Sequence, residues 1–180
     1  MENDRKKEVI NVCLDHFIAN GLETSTRSLS KTLKLQNAGL YYYFESKDEA
    51  VILCAEEATL RLETNLIAPA IKEITNTDVM MKRLQSRADE MSPTMRFLVS
   101  VCVSETYKDK IKPALDRLSG RYEQYAERIA KELNCDLQEI LPYVYMGITT
   151  VSDYMIFKED NIIYPQIQII KNKLTELLSV

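Results

Sequence analysis

The chain has 180 residues, 46% of them hydrophobic, and carries 23 Lys and Arg against 27 Asp and Glu, a formal charge of −4. This length predicts about one domain, or two small ones that share a core. The charge lacks the basic footprint of most nucleic-acid-binding proteins, and four glycines with five prolines argue against a turn-rich all-β fold. The composition therefore favours an all-α protein.

The cysteines and the single histidine exclude several classes of site. Cys13, Cys54, Cys102 and Cys135 include no CxxC pair, and His16 is the only histidine. A structural metal needs thiolates or imidazoles that converge, and a catalytic triad needs a histidine base with partners. We therefore expect no metal, no cofactor and no enzymatic activity, and we interpret the cysteines as free buried thiols in a reducing cytosol.

The sequence contains no apolar run of about 18 residues that could cross a membrane. Residues 1–7 also lack the apolar stretch of a secretory signal. These two features predict a cytoplasmic, soluble protein with no membrane partner.

The first predicted element is a helix from about Asp4 to Asn20, because its apolar residues recur at helical spacing. Gly21 follows as a residue that ends a helix in the left-handed conformation. The hydroxyl cluster 24–26 then caps a short helix that continues to Leu33. After a turn at Lys34, a second short helix is predicted, followed by a longer one that Ser46 caps. The last two of these are expected to span 36–43 and 46–68.

Five more helices are predicted beyond Pro69, giving about nine in total. Pro93 and Pro165 suit the first turn of a helix, where the missing N–H group does no harm. Pro142 lies six residues into the run that begins at Asp136, so that helix starts later or kinks there. The five predicted ranges are 77–89, 92–107, 110–133, 137–159 and 164–178.

Two short helices joined by a tight turn behind a first helix are typical of a helix-turn-helix module. In this chain 26–33 would be the supporting helix and 36–43 the recognition helix. The outward face of a recognition helix needs small or polar side chains that reach base edges, and phosphate-binding donors belong at its margins. The sequence offers Gln36, Asn37, Ala38 and Gly39 for the bases, and Thr26, Tyr41, Tyr42 and Lys47 for the phosphates.

These residues resemble the DNA-binding domain of the TetR family of transcriptional regulators. The likeness covers about 5–52 and is most specific over Leu40-Tyr41-Tyr42-Tyr43-Phe44-Glu45-Ser46-Lys47; beyond residue 60 it is architectural only. The chain departs from the family at Lys34, where a glycine is usual. A non-glycine residue can adopt this turn at modest cost.

The resemblance implies a role for each matching residue. Thr26 would direct its hydroxyl and N–H groups to a phosphate, and Arg27 would contact a guanine edge or a phosphate. Asn37 and Ala38 would face the major groove with Gln36 and Gly39 beside them. Tyr41 and Lys47 would bind phosphate, and Tyr42 would lie against the DNA backbone or a thymine methyl group. Leu40, Tyr43 and Phe44 would pack on Leu14, Phe17, Leu29 and Leu33.

The local charge agrees with this interpretation. Segment 24–47 contains Arg27, Lys31, Lys34 and Lys47 against Glu45, which gives +3 and leaves −7 for the rest of the chain. Electrostatic binding to DNA needs only a local basic patch, which a dimer doubles.

The last two predicted helices are too apolar to bury all of their faces alone. Pairing with a second subunit as a four-helix bundle solves this problem, and the resemblance implies the same homodimer. A dimer places its recognition helices about one DNA turn apart or somewhat more, which predicts a palindromic operator.

The C-terminal part also contains residues suited to an adaptable pocket, which in the TetR family typically binds a small-molecule effector. The candidates are Met91, Met95, Cys102, Tyr107, Tyr122, Tyr145, Thr149 and Asp153. A stripe of methionine and aromatic residues is also typical of an ordinary core. Asp153 would contact a polar ligand or find its partner across the dimer interface.

The sequence thus predicts two domains, a helix-turn-helix DNA-binding domain over 1–48 and an effector-binding and dimerisation domain over 49–180. The predicted function is a ligand-responsive repressor that binds a palindromic operator as a homodimer. The alternatives are a TetR-like DNA-binding or architectural protein without an effector, and a helical enzyme.

Overall fold

A computed structural model describes residues 2–178 of the chain, and the side chains of residues 2, 3, 37 and 38 lie outside the description. The described part contains helices and no strand, which confirms the all-α prediction. The helices are α1 (Glu2–Asn20), α2 (Thr26–Thr32), α3 (Asn37–Leu40), α4 (Lys47–Leu62), α5 (Ala68–Lys72), α6 (Thr77–Val103), α7 (Lys108–Leu133), α8 (Leu137–Phe157) and α9 (Asp160–Leu178), with a π-helical turn, Glu63–Ile67, between α4 and α5.

Seven of these helices have seven or more residues within the described part of the chain, rather than the expected nine or so. The predicted helices 77–89 and 92–107 form the single helix α6. In addition, α3 has only four residues, and α5 continues directly from α4 through the π-helical turn. Periodicity predicted where the long helical segments lie, but not which of them join.

The positions of three prolines correct the predicted helix boundaries. Pro93 lies inside α6, and Pro165 lies inside α9, which already begins at Asp160, so the predicted first-turn positions are wrong. Pro142 lies inside α8, so the alternative of a later start is wrong as well. A proline removes one backbone hydrogen bond from a helix, and the buried apolar side chains on both sides of these positions outweigh that loss.

The chain is divided into two compact units, one formed by 1–61 with 96–115 and the other by 62–95 with 116–180. The core of the first unit combines residues from both of its segments. Phe17 of α1 stacks on Phe97 of α6, with 6.1 Å between ring centroids. Its other fully buried side chains include Leu14, Leu29, Leu40, Phe44, Cys54, Val101 and Ile111.

In the second unit α8 packs against α9 and α5. Gly147 allows this close approach, since a Cβ atom at this position would lie 3.0 Å from Ile74 Cδ1 and 3.2 Å from Ile71 Cδ1. Other buried residues of the unit are Leu66, Leu84, Val144, Val151, Met155, Ile163, Ile170 and Leu174. Within residues 2–178, no helix combines the length and the hydrophobicity that crossing a membrane requires.

Candidate nucleic-acid interface

The helix-turn-helix begins with a capped α2. The Ser25 hydroxyl accepts a hydrogen bond from the Ser28 N–H group at 3.2 Å, which satisfies one of the free donors at the start of the helix. Thr26, the first residue of α2, is half-buried, and Arg27 is exposed. The predicted hydroxyl-rich cap is therefore present, with Ser25 as the capping residue.

The turn between α2 and α3 is closed by backbone hydrogen bonds around Lys34. This residue has φ 56°, a left-handed conformation, as the predicted turn without a glycine requires. The Lys34 N–H group donates to Lys31 O at 3.1 Å, and the Leu35 N–H group donates to Ser30 O at 2.9 Å. Together these bonds form the Schellman arrangement that ends many helices.

The recognition segment is shorter than predicted. Helix α3 covers only Asn37–Leu40, and a hydrogen-bonded turn follows in which the N–H groups of Tyr43 and Phe44 both donate to Leu40 O. Gly39 packs closely on the turn, because an added Cβ atom would lie 3.2 Å from Leu35 Cβ. The side chains of Asn37 and Ala38 lie outside the described residues.

Two adjacent tyrosines lie on the surface of this segment. Tyr41 is 54% exposed and Tyr42 71% exposed, whereas the flanking Leu40 and Phe44 are buried. Tyr43 is half-buried, with its ring edge-to-face with Tyr42 at 5.0 Å between centroids. Large aromatic side chains on a surface commonly mark a binding site, whereas Leu40 and Phe44 anchor the segment in the core as expected.

Helix α4 begins at Lys47, as predicted, after a cap formed by Ser46. The Ser46 hydroxyl accepts from the Glu49 N–H group at 3.1 Å, and the Glu49 carboxylate accepts from the Glu45 N–H group. This reciprocal pattern resembles a capping box. It fixes Lys47, which is half-buried, at the start of a sixteen-residue helix.

A polar network around His16 was not anticipated from the sequence. His16 is 9% exposed and links α1 to α2 and to the segment that precedes it. Its Nε2 atom lies 2.9 Å from the Thr24 hydroxyl and 3.3 Å from the Ser28 hydroxyl, and its Nδ1 atom lies 2.9 Å from the Thr32 hydroxyl. The Thr32 hydroxyl also donates to Ser28 O at 3.2 Å. Thr24, Ser28 and Thr32 are spaced four residues apart, and this spacing was the one feature of the sequence that could have indicated the network.

The segment around the α6–α7 connection also contributes to the first unit. Tyr107 is 7% exposed, and its hydroxyl donates to Asp48 Oδ1 at 3.2 Å. The Lys110 ammonium group lies 2.8 Å from Asp48 Oδ2. This ion pair holds the pKa of the Asp48 carboxyl below its usual value, whereas burial, with the nearby carboxylate, raises the pKa of Tyr107 to about 12. Pattern analysis along the chain could not detect a pair separated by about sixty residues.

The candidate effector-pocket residues belong to different units. Cys102 and Tyr107 belong to the first unit and the other six to the second. In the second unit, Tyr122 and Tyr145 meet edge-to-face at 6.2 Å between ring centroids. Met91, Met95 and Tyr122 are buried, whereas Tyr145 and Thr149 are exposed.

Asp153 has a partner within its own chain. Its Oδ2 atom accepts a hydrogen bond from Gln166 Nε2 at 3.1 Å, and Gln166 Oε1 accepts from the Thr150 hydroxyl at 2.6 Å. The hydroxyl of Thr149 donates to Tyr145 O, a backbone carbonyl of the same helix. Asp153 and Thr149 can therefore be hydrogen-bonded within one subunit. This is a third arrangement for Asp153, beside the polar ligand and the partner across the dimer interface that the sequence suggested.

A buried carboxylate in the second unit also escaped sequence analysis. Glu63 begins the π-helical turn and is 8% exposed. It accepts hydrogen bonds from Arg121 Nη1 at 2.7 Å and from the Tyr125 hydroxyl. Burial, together with Glu63, raises the pKa of Tyr125 to about 12. The cluster explains how a carboxylate is tolerated among apolar residues, because its charge is paired and hydrogen-bonded.

Comparison with known proteins relates this fold to transcriptional regulators. No family model matches the chain, and no curated protein matches it either. Among solved structures, a structural-genomics crystal structure from Rhodococcus sp. RHA1 is 14% identical, with a TM-score of 0.63 over 96% of this chain and 98% of that one. A tetR-family transcriptional regulator from Streptomyces coelicolor is 17% identical, with a TM-score of 0.57 over 97% of this chain and 79% of that one. A transcriptional regulator (TerR/AcrR family) from Aquifex aeolicus VF5 is 16% identical, with a TM-score of 0.57 over 97% of both chains. The chain shares the fold of these proteins.

Proposed function

We propose that this chain is a transcriptional regulator of the TetR family that binds double-stranded DNA through its helix-turn-helix. The observation that carries the proposal is the pair of exposed tyrosines, Tyr41 and Tyr42, that follows α3 within a segment of charge +3. The shared fold supports the same function. The buried Leu40 and Phe44 hold this segment in the core, so its exposed aromatic and basic groups have fixed positions from which to contact a DNA backbone.

In this proposal the residues divide into two groups. Asn37 and Ala38 face base edges in the major groove with Gln36 beside them, and amide groups there can pair with adenine. Gly39, predicted to lie beside them as well, instead packs towards Leu35 of the turn. The positioning contacts to phosphate and sugar come from Thr26, Arg27, Tyr41, Tyr42 and Lys47. Specificity therefore depends on α3, and sequence-independent affinity depends on its margins.

The test starts from a pool of random DNA duplexes, from which bound molecules are enriched and sequenced. We expect a palindromic consensus, and Lys47→Ala should weaken binding to every duplex about fivefold near 0.1 M salt, with a shallower salt dependence. Lys82→Ala is the matched control, because Lys82 is an exposed lysine of the second unit. Asn37→Ala should change the preferred sequence instead. Failure to enrich any duplex, even at low salt, would refute the proposal.

The proposed DNA-binding form is a homodimer that pairs through α8 and α9. These two helices expose the large side chains Tyr145, Phe157, Ile162, Tyr164 and Ile169, and apolar helices of this kind can pair with a second subunit as a four-helix bundle. Ile169→Asp should shift the protein to monomers at micromolar concentration, as measured by sedimentation velocity. Val79→Asp is the control, since Val79 is a similarly exposed residue, at 41%, of the same unit on α6. Equal behaviour of the two variants would argue against this interface.

The proposed regulation is repression relieved by an effector. An effector bound in the second unit would favour a state whose recognition helices no longer match successive major grooves. The test is a small-molecule screen for a raised melting temperature, followed by release of the enriched duplex. Stabilising compounds that leave DNA binding unchanged would favour the architectural alternative.

A further inference from the structure

The carboxylate of Asp48 is bound on both oxygens by residues of the distant 96–115 segment. Lys110 Nζ lies 2.8 Å from Oδ2, and the Tyr107 hydroxyl donates to Oδ1 at 3.2 Å. The same ammonium group lies 5.8 Å from the centroid of the Tyr107 ring, a distance at which a cation is attracted to an aromatic face. The three residues form one cluster, which we call the Asp48 clamp.

The position of the Asp48 clamp gives it an electrostatic consequence. Asp48 is the second residue of α4 and directly follows Lys47, which the proposed function places on a DNA phosphate. A free carboxylate at this point would repel that phosphate. The field of a surface charge extends over a Debye length, about 10 Å at 0.1 M salt, so the repulsion would reach the neighbouring phosphates as well.

The charge of the distant segment is suited to this role. Segment 96–115 carries four basic and two acidic residues, a net +2, whereas 1–61 carries eight basic and ten acidic residues, a net −2. The unit that contains the helix-turn-helix is therefore neutral only when both of its segments are counted. The Lys110 and Asp48 side chains are 49% and 44% exposed, and exposed ion pairs contribute little to folding stability.

We propose that Lys110 is a positioning residue of the DNA-binding surface, which neutralises Asp48 so that the Asp48 carboxylate no longer opposes the contact of Lys47 with the phosphate backbone. The inference rests on the proposed function and extends it to a residue far outside the helix-turn-helix motif. Lys110 acts through Asp48 and need not touch DNA itself.

The experiment measures binding of the full-length protein to a labelled duplex of random sequence, about 30 base pairs long, by fluorescence anisotropy between about 50 and 200 mM salt. Lys110→Gln should weaken binding about three- to tenfold at the lowest salt, and the loss should shrink as salt rises. Asp48→Asn should bind at least as tightly as the wild type. The double variant Lys110→Gln/Asp48→Asn, which has the wild-type net charge, should recover wild-type affinity within about twofold.

Lys112→Gln is the matched control, because it removes the same charge from an exposed position two residues further along α7. It should weaken binding less than twofold. Melting temperatures of all variants separate affinity changes from unfolding, and the rescue by Asp48→Asn distinguishes this role from a structural one. Equal losses for Lys110→Gln and Lys112→Gln, or no rescue, would overturn this inference alone. A wild type that binds no duplex would overturn the proposed function and this inference together.

Discussion

At the scale of single residues, Lys34 shows how a departure from a family pattern can be accommodated. The sequence predicted a tight turn without its usual glycine, and the structure places Lys34 at φ 56° with its N–H group and that of Leu35 hydrogen-bonded to carbonyls of α2. The left-handed conformation costs a residue with a Cβ atom about 1–2 kcal/mol relative to the right-handed one. The chain accepts this cost at a position that determines where α3 begins.

Lys34→Gly should therefore stabilise the protein by about 1 kcal/mol, because glycine adopts positive φ without the steric cost. Urea unfolding followed by circular dichroism measures the change. Lys31→Gly is the matched control, since Lys31 lies inside α2, where glycine costs about 1 kcal/mol. Destabilisation by Lys34→Gly would show that the lysine side chain itself contributes to the turn.

Residues that bond locally were easier to predict than those that bond across the fold. Gly21 and Ser46 have the predicted roles at helix ends because capping depends on a few neighbours in sequence. The partners of His16 and Asp48 follow from packing between helices. For His16 the four-residue spacing of Thr24, Ser28 and Thr32 was the one local signal, whereas no local pattern indicates the partners of Asp48.

At the scale of elements, helical periodicity predicted the helical segments but not their joints. The split of α6 at Pro93 was inferred from proline chemistry alone. In the folded chain the buried Met91 and Met95 hold both sides of that position in one helix. The π-helical turn that begins at Glu63 was likewise not predicted. The buried Glu63 carboxylate is stabilised by hydrogen bonds from Arg121 and Tyr125 of another helix, and these partners are distant in sequence.

Gly120 of α7 and Gly147 of α8 allow a test of packing between elements. An added Cβ atom at Gly147 would meet Ile71 and Ile74, whereas one at Gly120 would meet nothing within 4 Å. Gly147→Val should destabilise the second unit by about 1–3 kcal/mol through overpacking. Gly120→Val should be neutral or stabilising by a few tenths of a kcal/mol. Thermal unfolding measures both, and equal effects would contradict the close approach of α8 to α5.

At the scale of the whole molecule, the predicted division at residue 48 differs from the compact units of the structure. The first unit extends to residue 61 and takes in 96–115. The predicted boundary was taken from a family resemblance that covers one contiguous motif, about 5–52. The core of the first unit also includes Phe97, Val101 and Ile111, which lie far beyond that motif in sequence. A helix-turn-helix can thus be located from one stretch of sequence, but the extent of the unit that supports it cannot.

We therefore expect a fragment of residues 1–61 to lack cooperative unfolding, because it exposes the face of Phe17 that stacks on Phe97. Urea titration of the fragment and of the full-length protein, followed by circular dichroism, makes the comparison. Addition of a peptide covering 96–115 provides the control and should restore part of the cooperative transition. A sharp transition in the fragment alone would show that the segment is dispensable for folding.

The composition of the first unit from two segments also affects the order of events during synthesis. Residues 1–61 leave the ribosome before segment 96–115, so the core of this unit is complete only after roughly fifty further residues have been added. At about 5–20 residues per second, that delay is roughly 3–10 seconds. During this interval Phe17 of α1 lacks Phe97, on which it stacks in the folded chain, so the nascent chain passes through a period in which chaperones can bind it.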